Sequence, residues 1–304
     1  MSRRPQPKLE LPLRRIHTFK DSERFARQLA RALGESVTRI AEHCFPDGET
    51  LLRVRSPVAR DAILVRSLHD PNSKLVETLL AADALRRAGA QRITLVAPYL
   101  PYMRQDMVFS PGEPLSQQVI ANCLGQAFDG IVTLEPHLHR IRRLDEIFPC
   151  RAVGISSAPT LARWIQRTGS RSLVVGPDAE SEPWVRAIAE AAHLPWIVGH
   201  KERLGDHAVR IRFPAIPSCT RAVIVDDIAS SGVTLAIAAQ GLRKQGMETI
   251  DAVVVHAIFA MGALTHINAA GIRRIVSGDT IPHPTNAIRL APLAAAAFTT
   301  KQST

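Results

Sequence analysis

The sequence has few cysteines, few aromatic residues and no long hydrophobic run. Its 304 residues include four cysteines, none of them spaced as Cys-x-x-Cys. This argues against a disulfide framework and against a cysteine-based zinc site. Aromatic residues make up 5% of the chain, so the stacking platforms of a single-strand nucleic-acid binder are missing. No apolar stretch approaches the length of a membrane-crossing helix, so no membrane partner is expected.

The remaining composition is that of a soluble globular protein. Hydrophobic residues account for 46% and charged residues for 22%, and the length suits two domains. The net charge of +10 comes from lysines and arginines spread along the chain rather than packed into one block. This pattern favours phosphorylated small ligands and disfavours nucleic acid. Residues 1–14 lack the apolar core of a secretory signal, so we expect a disordered basic lead-in and a cytoplasmic protein.

Segments typical of buried strands alternate with segments typical of helices along the chain. This alternation predicts an α/β fold with parallel sheets and right-handed crossovers. A helix–glycine–strand pattern at 85–90 recurs at 242–247, which hints at a duplicated domain with a seam near 155–159. One strand is predicted over 38–45, and the charged run 199–206 is predicted to be a mobile loop.

The stretch from 223 to 235 is typical of a sugar-phosphate site. Three apolar residues predict a buried strand, and Asp226 and Asp227 are expected just after it, where parallel sheets bind ligands. Small residues at 229–232 then lead into a predicted helix over 234–242. A tight loop before a helix start offers backbone N–H groups to phosphate, and the carboxylates suit hydroxyls or Mg²⁺. The alternative is an ordinary strand-to-helix turn with capping residues.

Four segments together resemble the ribose-phosphate pyrophosphokinase (phosphoribosyl pyrophosphate synthetase) family, and they occur in that family's order. The likeness extends from about Phe45 to Ile288. It implies an α/β protein with two similar phosphoribosyltransferase-like domains, each a mainly parallel sheet flanked by helices. The four segments that carry the resemblance are 45–49, 102–106, 226–234 and 279–282.

The resemblance also implies a domain organisation. An N-terminal domain with the ATP-site segments is expected over 15–157. A C-terminal domain with the ribose 5-phosphate loop is expected over 158–290. The tail at 291–304 is expected to pack back on the N-terminal domain.

The activity implied by the resemblance is transfer of the diphosphoryl group of Mg-ATP to the anomeric hydroxyl of ribose 5-phosphate. The nucleotide segment at 45–49 would come from a neighbouring subunit, which implies a homo-oligomer, either a dimer or a dimer-based hexamer. The residues expected to bind ribose 5-phosphate are Asp226, Asp227, Ser230, Ser231, Gly232 and Thr234. Those expected to bind the nucleotide are Phe45, Asp47, Glu49, Arg104, Gln105 and Asp106.

Four further residues match metal and catalytic positions of the family. His137 matches a position that holds Mg²⁺, although His139 competes for this role. Asp178 matches a second position that holds metal or ribose, and it is equally typical of a turn. Lys201 and Arg203 match a Lys-x-Arg pair that would stabilise the transferring group. Without the resemblance, this pair would be interpreted as part of a solvated loop.

The sequence departs from the family at several positions. Ala179-Glu180-Ser181-Glu182 stands where paired glycines are usual, Met107 replaces a basic residue, and Ala229-Ser230-Ser231 replaces the commoner phosphate-loop residues. These changes keep two alternatives open. One is a catalytically weakened regulatory subunit of a synthetase, and the other is a phosphoribosyltransferase.

Overall fold

The computed structural model of the protein describes residues 14–168, 171–203, 209–216 and 219–299. We refer to residues 14–157 as the first half and to residues 158–299 as the second half. Each half contains one parallel sheet with helices on its faces. Within the described ranges, no helix has the length and apolarity needed to cross a membrane.

The described residues of the first half form a six-stranded parallel sheet and a separate hairpin. The strands are β1 (Arg14–Thr18), β2 (Val37–Arg39), β3 (Ala41–Cys44), β4 (Thr50–Arg53), β5 (Asp61–Val65), β6 (Arg92–Ala97), β7 (Gly130–Leu134) and β8 (Arg151–Ile155). The helices are α1 (Glu23–Leu33), α2 (Pro71–Arg87) and α3 (Ser116–Ala127). The sheet order is β2-β1-β5-β6-β7-β8, and β3 and β4 form the antiparallel hairpin.

The second half repeats this plan in the part that the structure describes, again with six parallel strands and a hairpin. Its strands are β9 (Leu173–Gly176), β10 (Trp196–Val198), β11 (His200–Arg203), β12 (Val209–Arg212), β13 (Arg221–Ala229), β14 (Thr249–Ala257), β15 (Arg274–Gly278) and β16 (Asn286–Ile288). The helices are α4 (Ala158–Thr168), α5 (Glu182–Ala192), α6 (Val233–Lys244), α7 (Ala263–Ala269) and α8 (Ala291–Thr299). The sheet order is β10-β9-β13-β14-β15-β16, with β11 and β12 antiparallel.

The strand order of the second sheet places a ligand crevice between β9 and β13. The chain turns towards one edge after β9 and towards the other edge after β13. In open parallel sheets such a reversal leaves a crevice at the carboxyl ends of the strands, because the following helices cover opposite faces. The segments that begin at Asp178 and Ser230 emerge at this crevice.

A single apolar cluster packs the two halves together. It contains Ile16 and Leu29 of the first half and Ile165 and Ile188 of the second half, all 0% exposed. Helix α8 packs against α1 of the first half. Because the core is shared, the division into domains at 157/158 stays a prediction based on the sequence.

Several elements differ from the sequence prediction. The strand predicted over 38–45 is interrupted at the buried Ile40, and its two parts belong to different sheets. The predicted mobile loop at 199–206 contains strand β11, which the alternating polar sequence did not reveal. Residues 204–208 lie outside the described residues. Strand β8 and helix α8 were not predicted, because β8 is a short edge strand and α8 is an alanine-rich stretch without polar periodicity.

Packing in the second half is testable with two methionines. Met247 is 2% exposed in an apolar cluster, whereas Met261 is fully exposed. We expect Met247→Ala to lower the free energy of unfolding by about 2–5 kcal/mol, because it removes buried contacts and leaves a cavity. Met261→Ala should change it by less than about 0.5 kcal/mol. Urea unfolding followed by circular dichroism measures both, and equal effects would contradict the described core.

Candidate active site

Two adjacent carboxylates project near the end of strand β13. The sequence predicted that Asp226 and Asp227 follow the strand, but β13 continues to Ala229 and pairs with β14 beyond both of them. The longer strand is stabilised by pairing at Ile228 and Ala229, which offsets the low strand propensity of aspartate. Both carboxylates therefore have fixed backbone positions.

The loop after β13 leads directly into helix α6. Gly232 precedes the helix with φ of 77° and brings no capping side chain, while the Val233 N–H donates a long hydrogen bond of 3.5 Å to the Ser231 hydroxyl. A Cβ atom on Gly232 would lie 2.8 Å from Ile267 Cγ1 and 3.1 Å from the carbonyl oxygen of Ala263. Glycine is therefore required here both by the backbone angle and by the close approach of α7. Backbone N–H groups at the start of a helix are donors suited to an anion.

A cavity of about 180 Å³ lies between the two halves, beside the aspartate pair. It brings together side chains from the ends of β7, β9 and β13. Besides Glu135, the titratable residues that line the cavity are His137, His139, Asp178, Glu180, Asp226 and Asp227. The two predicted metal residues, His137 and Asp178, therefore share one cavity wall with two of the six predicted ribose residues, Asp226 and Asp227.

Two histidines connect the first half to the carboxylates of the second half. His137 Nδ1 lies 2.5 Å from Asp227 Oδ2, and His137 Nε2 lies 2.5 Å from His139 Nε2. His139 Nε2 is also 3.8 Å from the exposed carboxylate of Glu180. Both ring nitrogens of His137 thus have partners in this arrangement.

The two aspartates have opposite pKa shifts. Desolvation, followed by the charges of Asp227 and Asp178, raises the pKa of Asp226 well above its ordinary value. Desolvation also acts to raise the pKa of Asp227, but the hydrogen bond and charge of His137 outweigh it and lower the net pKa. Asp227 is therefore the more readily ionised member of the pair.

Asp178 has a local structural role in addition to lining the cavity. Its carboxylate accepts a hydrogen bond from the Ser181 backbone N–H at 3.2 Å, and its carbonyl accepts one from the Ser181 hydroxyl at 2.6 Å. Both interpretations made from the sequence, a turn former and a site residue, are therefore compatible with its position. Glu180 replaces a family glycine and directs an exposed carboxylate towards His139.

The predicted nucleotide residues at 104–106 lie in three different environments. Arg104 borders a small cavity that His137 also lines, and Gln105 is exposed. The Asp106 side chain is 4% exposed and pairs with Arg140 at 2.6 Å, so it holds the loop after His137.

The predicted residues at 45–49 lie on the β3–β4 hairpin. Phe45 is 40% exposed. Asp47 accepts a hydrogen bond from the Glu49 backbone N–H at 3.0 Å. The described residues that line the carboxylate cavity include none from this hairpin.

The predicted catalytic pair lies on strand β11 rather than in a loop. Lys201 pairs in register with Ile211, and Arg203 with Val209. Lys201 is exposed, and the described lining of the carboxylate cavity does not include it.

Two residues at the site, one partly buried and one fully buried, were not identified from the sequence. The Glu135 carboxylate accepts hydrogen bonds from the Ser157 backbone N–H at 2.6 Å and from its hydroxyl at 2.7 Å. Burial raises the pKa of Glu135. His256 is 1% exposed near the end of β14. The available signal was a polar residue at the carboxyl end of each predicted parallel strand.

The fold and the loop define a phosphoribosyltransferase-like protein. Residues 155–265 match the family model described as the phosphoribosyl transferase domain. Residues 15–127 match a second model, described as the N-terminal domain of ribose phosphate pyrophosphokinase.

Relatives over nearly the full length narrow the class to one family. A ribose-phosphate pyrophosphokinase of Methanopyrus kandleri is 31% identical over 88% of this chain and 93% of its own. That of Pyrococcus furiosus is 32% identical over 84% of this chain and 91% of its own. The crystal structure of phosphoribosylpyrophosphate synthetase from Mycobacterium smegmatis matches with a TM-score of 0.82 and 25% identity, covering 94% of this chain and 97% of that one. The chain belongs to the ribose-phosphate pyrophosphokinase family, which confirms the resemblance and the α/β fold class.

The requirement for glycine at position 232 can be tested by substitution. Gly232→Ala combines an unfavourable positive φ with contact against α7. Gly262 is a matched control, because its φ is +83° and open space surrounds it. We expect Gly262→Ala to cost about 1 kcal/mol of unfolding free energy and Gly232→Ala to cost about 1–3 kcal/mol more. Denaturant midpoints measure both, and equal losses would show that the contact with α7 is unimportant.

Proposed function

We propose that the protein transfers the diphosphoryl group of ATP to the anomeric hydroxyl of ribose 5-phosphate, giving phosphoribosyl pyrophosphate and AMP. Family membership supports this activity. The observation that carries it is the contact of His137 with Asp227, which joins the first half to the phosphate loop and acid pair of the second. A two-substrate reaction needs this arrangement, because both reactants must be held in line in one site.

The ribose 5-phosphate position is proposed at the crevice after β13. The phosphate would bind the N–H groups around Ser230, Ser231 and Gly232 and at the start of α6, with Thr234 in the first turn. Asp226 and Asp227 would accept hydrogen bonds from the ribose hydroxyls. This division suits the charges, since carboxylates repel a phosphate but bind hydroxyls.

The nucleotide position is proposed on the first half. Arg104 and Gln105 would contact the phosphates or the base from the loop after β6. Asp106 would act through Arg140, which it pairs with in the structure. Phe45, Asp47 and Glu49 would contact the adenine of a nucleotide bound to a neighbouring subunit. The exposure of Phe45 supports this role. The enzyme would therefore be a homo-oligomer, either a dimer or a dimer-based hexamer.

The cavity residues fit a Mg²⁺ ion that arrives with the nucleotide. Among the described residues, no group of three or more His, Cys, Asp or Glu is arranged to hold a metal by itself. Mg²⁺ commonly binds to one or two carboxylates together with substrate phosphates, so a complete protein cage is not required. We propose that Asp178 and His137 hold it, with His137 giving up one present partner. When bound, Mg²⁺ would neutralise charge on the phosphate oxygens.

The reaction requires positive charge where negative charge develops. A bond forms between the anomeric oxygen and the β-phosphorus, and the bond from that phosphorus to the oxygen of the α-phosphate breaks. We propose that Lys201 and Arg203, both on β11, stabilise the transferring group. This role needs the β11–β12 hairpin to approach the cavity when substrates are bound.

The proposed location is the cytoplasm. The four cysteines are free, which suits a reducing compartment, and ATP is abundant there. Two of them, Cys44 and Cys123, are exposed thiols. Reduced thiols at the surface persist where glutathione and thioredoxin act.

The proposed activity is tested by product analysis. Purified protein with Mg-ATP and ribose 5-phosphate should release AMP in a one-to-one ratio with phosphoribosyl pyrophosphate, measured by chromatography. Omission of either substrate is the control. Nucleotide binding without AMP formation would instead support the regulatory-subunit alternative. Release of pyrophosphate from phosphoribosyl pyrophosphate and a nucleobase would support a phosphoribosyltransferase.

The proposed role of Lys201 predicts a specific kinetic pattern. Lys201→Ala should lower kcat by about 10²–10³-fold, because a group that stabilises developing charge acts mainly on the transition state. KM for both substrates should change by less than about threefold, since ground-state binding is retained. Steady-state AMP formation measures both constants.

A matched charge-loss variant controls for general electrostatics. Lys244 is exposed in the last turn of α6. Lys244→Ala removes the same charge and should leave kcat within about twofold of the wild-type value. If Lys201→Ala raises only KM, or if both variants behave alike, Lys201 has no transition-state role.

A further inference from the structure

His256 connects the two halves of the protein beside the active site. It belongs to β14 of the second half and is 1% exposed. Its Nε2 lies 3.1 Å from the carbonyl oxygen of Glu135 in the first half. Its Nδ1 lies 2.9 Å from the hydroxyl oxygen of Thr280. Both ring nitrogens therefore have polar partners, one on each side of the boundary.

The chemistry of these partners fixes the tautomer of His256. A carbonyl oxygen can only accept, so Nε2 carries the hydrogen and donates to Glu135. Burial lowers the pKa of His256 to about 4, so the ring is neutral and Nδ1 must accept. The Thr280 hydroxyl is the donor to Nδ1. Val255 O lies 3.1 Å from the same hydroxyl and competes for its single proton.

Glu135 is held in an unusual conformation from two sides. Its φ is 39°, a value that residues other than glycine rarely adopt. The carboxylate is bound by Ser157, and the carbonyl is bound by His256. Such a backbone persists only where surrounding contacts enforce it. The Tyr99 ring packs against the His256 ring with centroids 5.0 Å apart and limits its rotation.

The fixed Glu135 backbone determines where His137 lies. His137 follows two residues later and approaches Asp227 Oδ2 at 2.5 Å. His256 and Asp227 are on adjacent strands of the same sheet. The contact of Glu135 with His256 and the contact of His137 with Asp227 therefore both attach the 135–137 segment to that sheet. A change at the Glu135 carbonyl therefore moves His137 relative to Asp227 and the cavity.

We propose that His256 is a positioning residue for the reaction. Its Nε2–H bond to the Glu135 carbonyl fixes the position of the 135–137 segment. It thereby fixes the position of His137 relative to the acid pair of the other half. The effect on turnover rests on the proposed function. The effect on the His137 ring does not, because it follows from the hydrogen bonds alone.

Two substitutions separate the contacts of the two ring nitrogens. In His256→Gln the amide nitrogen reaches the position of Nε2 and can still donate to Glu135. In His256→Asn the shorter amide reaches the position of Nδ1 and loses that donor. We expect the Gln variant to keep kcat within about threefold of wild type. The Asn variant should lose about 10- to 100-fold in kcat with KM nearly unchanged, as displaced catalytic groups do.

A control histidine tests for a general stability effect. His17 is also fully buried, in β1, and burial lowers its pKa to about 4 as well. Neither of its ring nitrogens has a hydrogen-bond partner within the described structure. His17→Asn should alter the thermal midpoint without a selective loss of kcat. If kcat losses at both positions follow thermal stability, His256 is only structural and the proposal is wrong.

A spectroscopic measurement tests the proposal independently of turnover. Ring ¹⁵N chemical shifts of His137 in the full-length protein should match wild type in His256→Gln and differ in His256→Asn. Identical His137 shifts in both variants would overturn the proposal even if the wild-type enzyme makes AMP. If wild type makes no AMP, the proposed function fails, while the shift comparison still decides the role of His256.

A third variant covers the case in which His256→Asn does not fold. Thr280→Val removes the donor to Nδ1 and keeps the ring, so the ring loses one of the two hydrogen bonds that hold its orientation. We expect a threefold to tenfold lower kcat and altered His137 shifts. Wild-type values for both would overturn the proposal.

Discussion

The shared apolar core is the constraint on which the site depends. Ile16 and Leu29 from one half pack in the same cluster as Ile165 and Ile188 from the other. A core that is continuous across the boundary resists relative rotation, because dense packing does not deform gradually. The carboxyl ends of two separate sheets can then face one cavity at fixed spacing. The 2.5 Å approach of His137 to Asp227 is a consequence of this packing and would not by itself hold two halves together.

Polar bonds then refine an arrangement that apolar packing establishes. Glu135, which lines the cavity, is held by hydrogen bonds to the buried residues Ser157 and His256. Fully satisfied groups of this kind select one geometry, because each lost bond leaves a buried polar atom without a partner. Hydrogen bonds thus hold the interior of the site, whereas Lys201 is an exposed residue of strand β11 outside it.

Much of the fold was predictable because its information is local. Parallel strands such as β6 and β7 are short apolar runs buried on both faces, and their bounds were predicted correctly. The split at Ile40 was not predictable, because periodicity does not say which sheet each part of a strand joins. The aspartates in β13 were misplaced for a related reason, since pairing with β14 extends the strand beyond its apolar part.

The site was predictable as a set of positions but less so as contacts. The acid pair, the loop before α6 and Asp178 lie at the carboxyl edge of the second sheet, and His137 follows β7 of the first sheet. Contacts between residues far apart in the sequence were not predictable, such as those of Asp106 with Arg140 and of His256 with Glu135. Nothing in the local sequence of a strand shows what its buried histidine meets in the other half.

The cavity wall also has a consequence for which form of the nucleotide would enter. Five carboxylate residues line it, and no lysine or arginine does among the described residues. The whole chain carries a net charge of +10 and attracts anions from a distance. Within a Debye length of about 8 Å, however, ionised carboxylates such as Asp227 would repel a bare polyphosphate. The site would therefore favour polyphosphates whose charge a cation has already neutralised. Such a selection by charge state needs no contact with the base or the sugar.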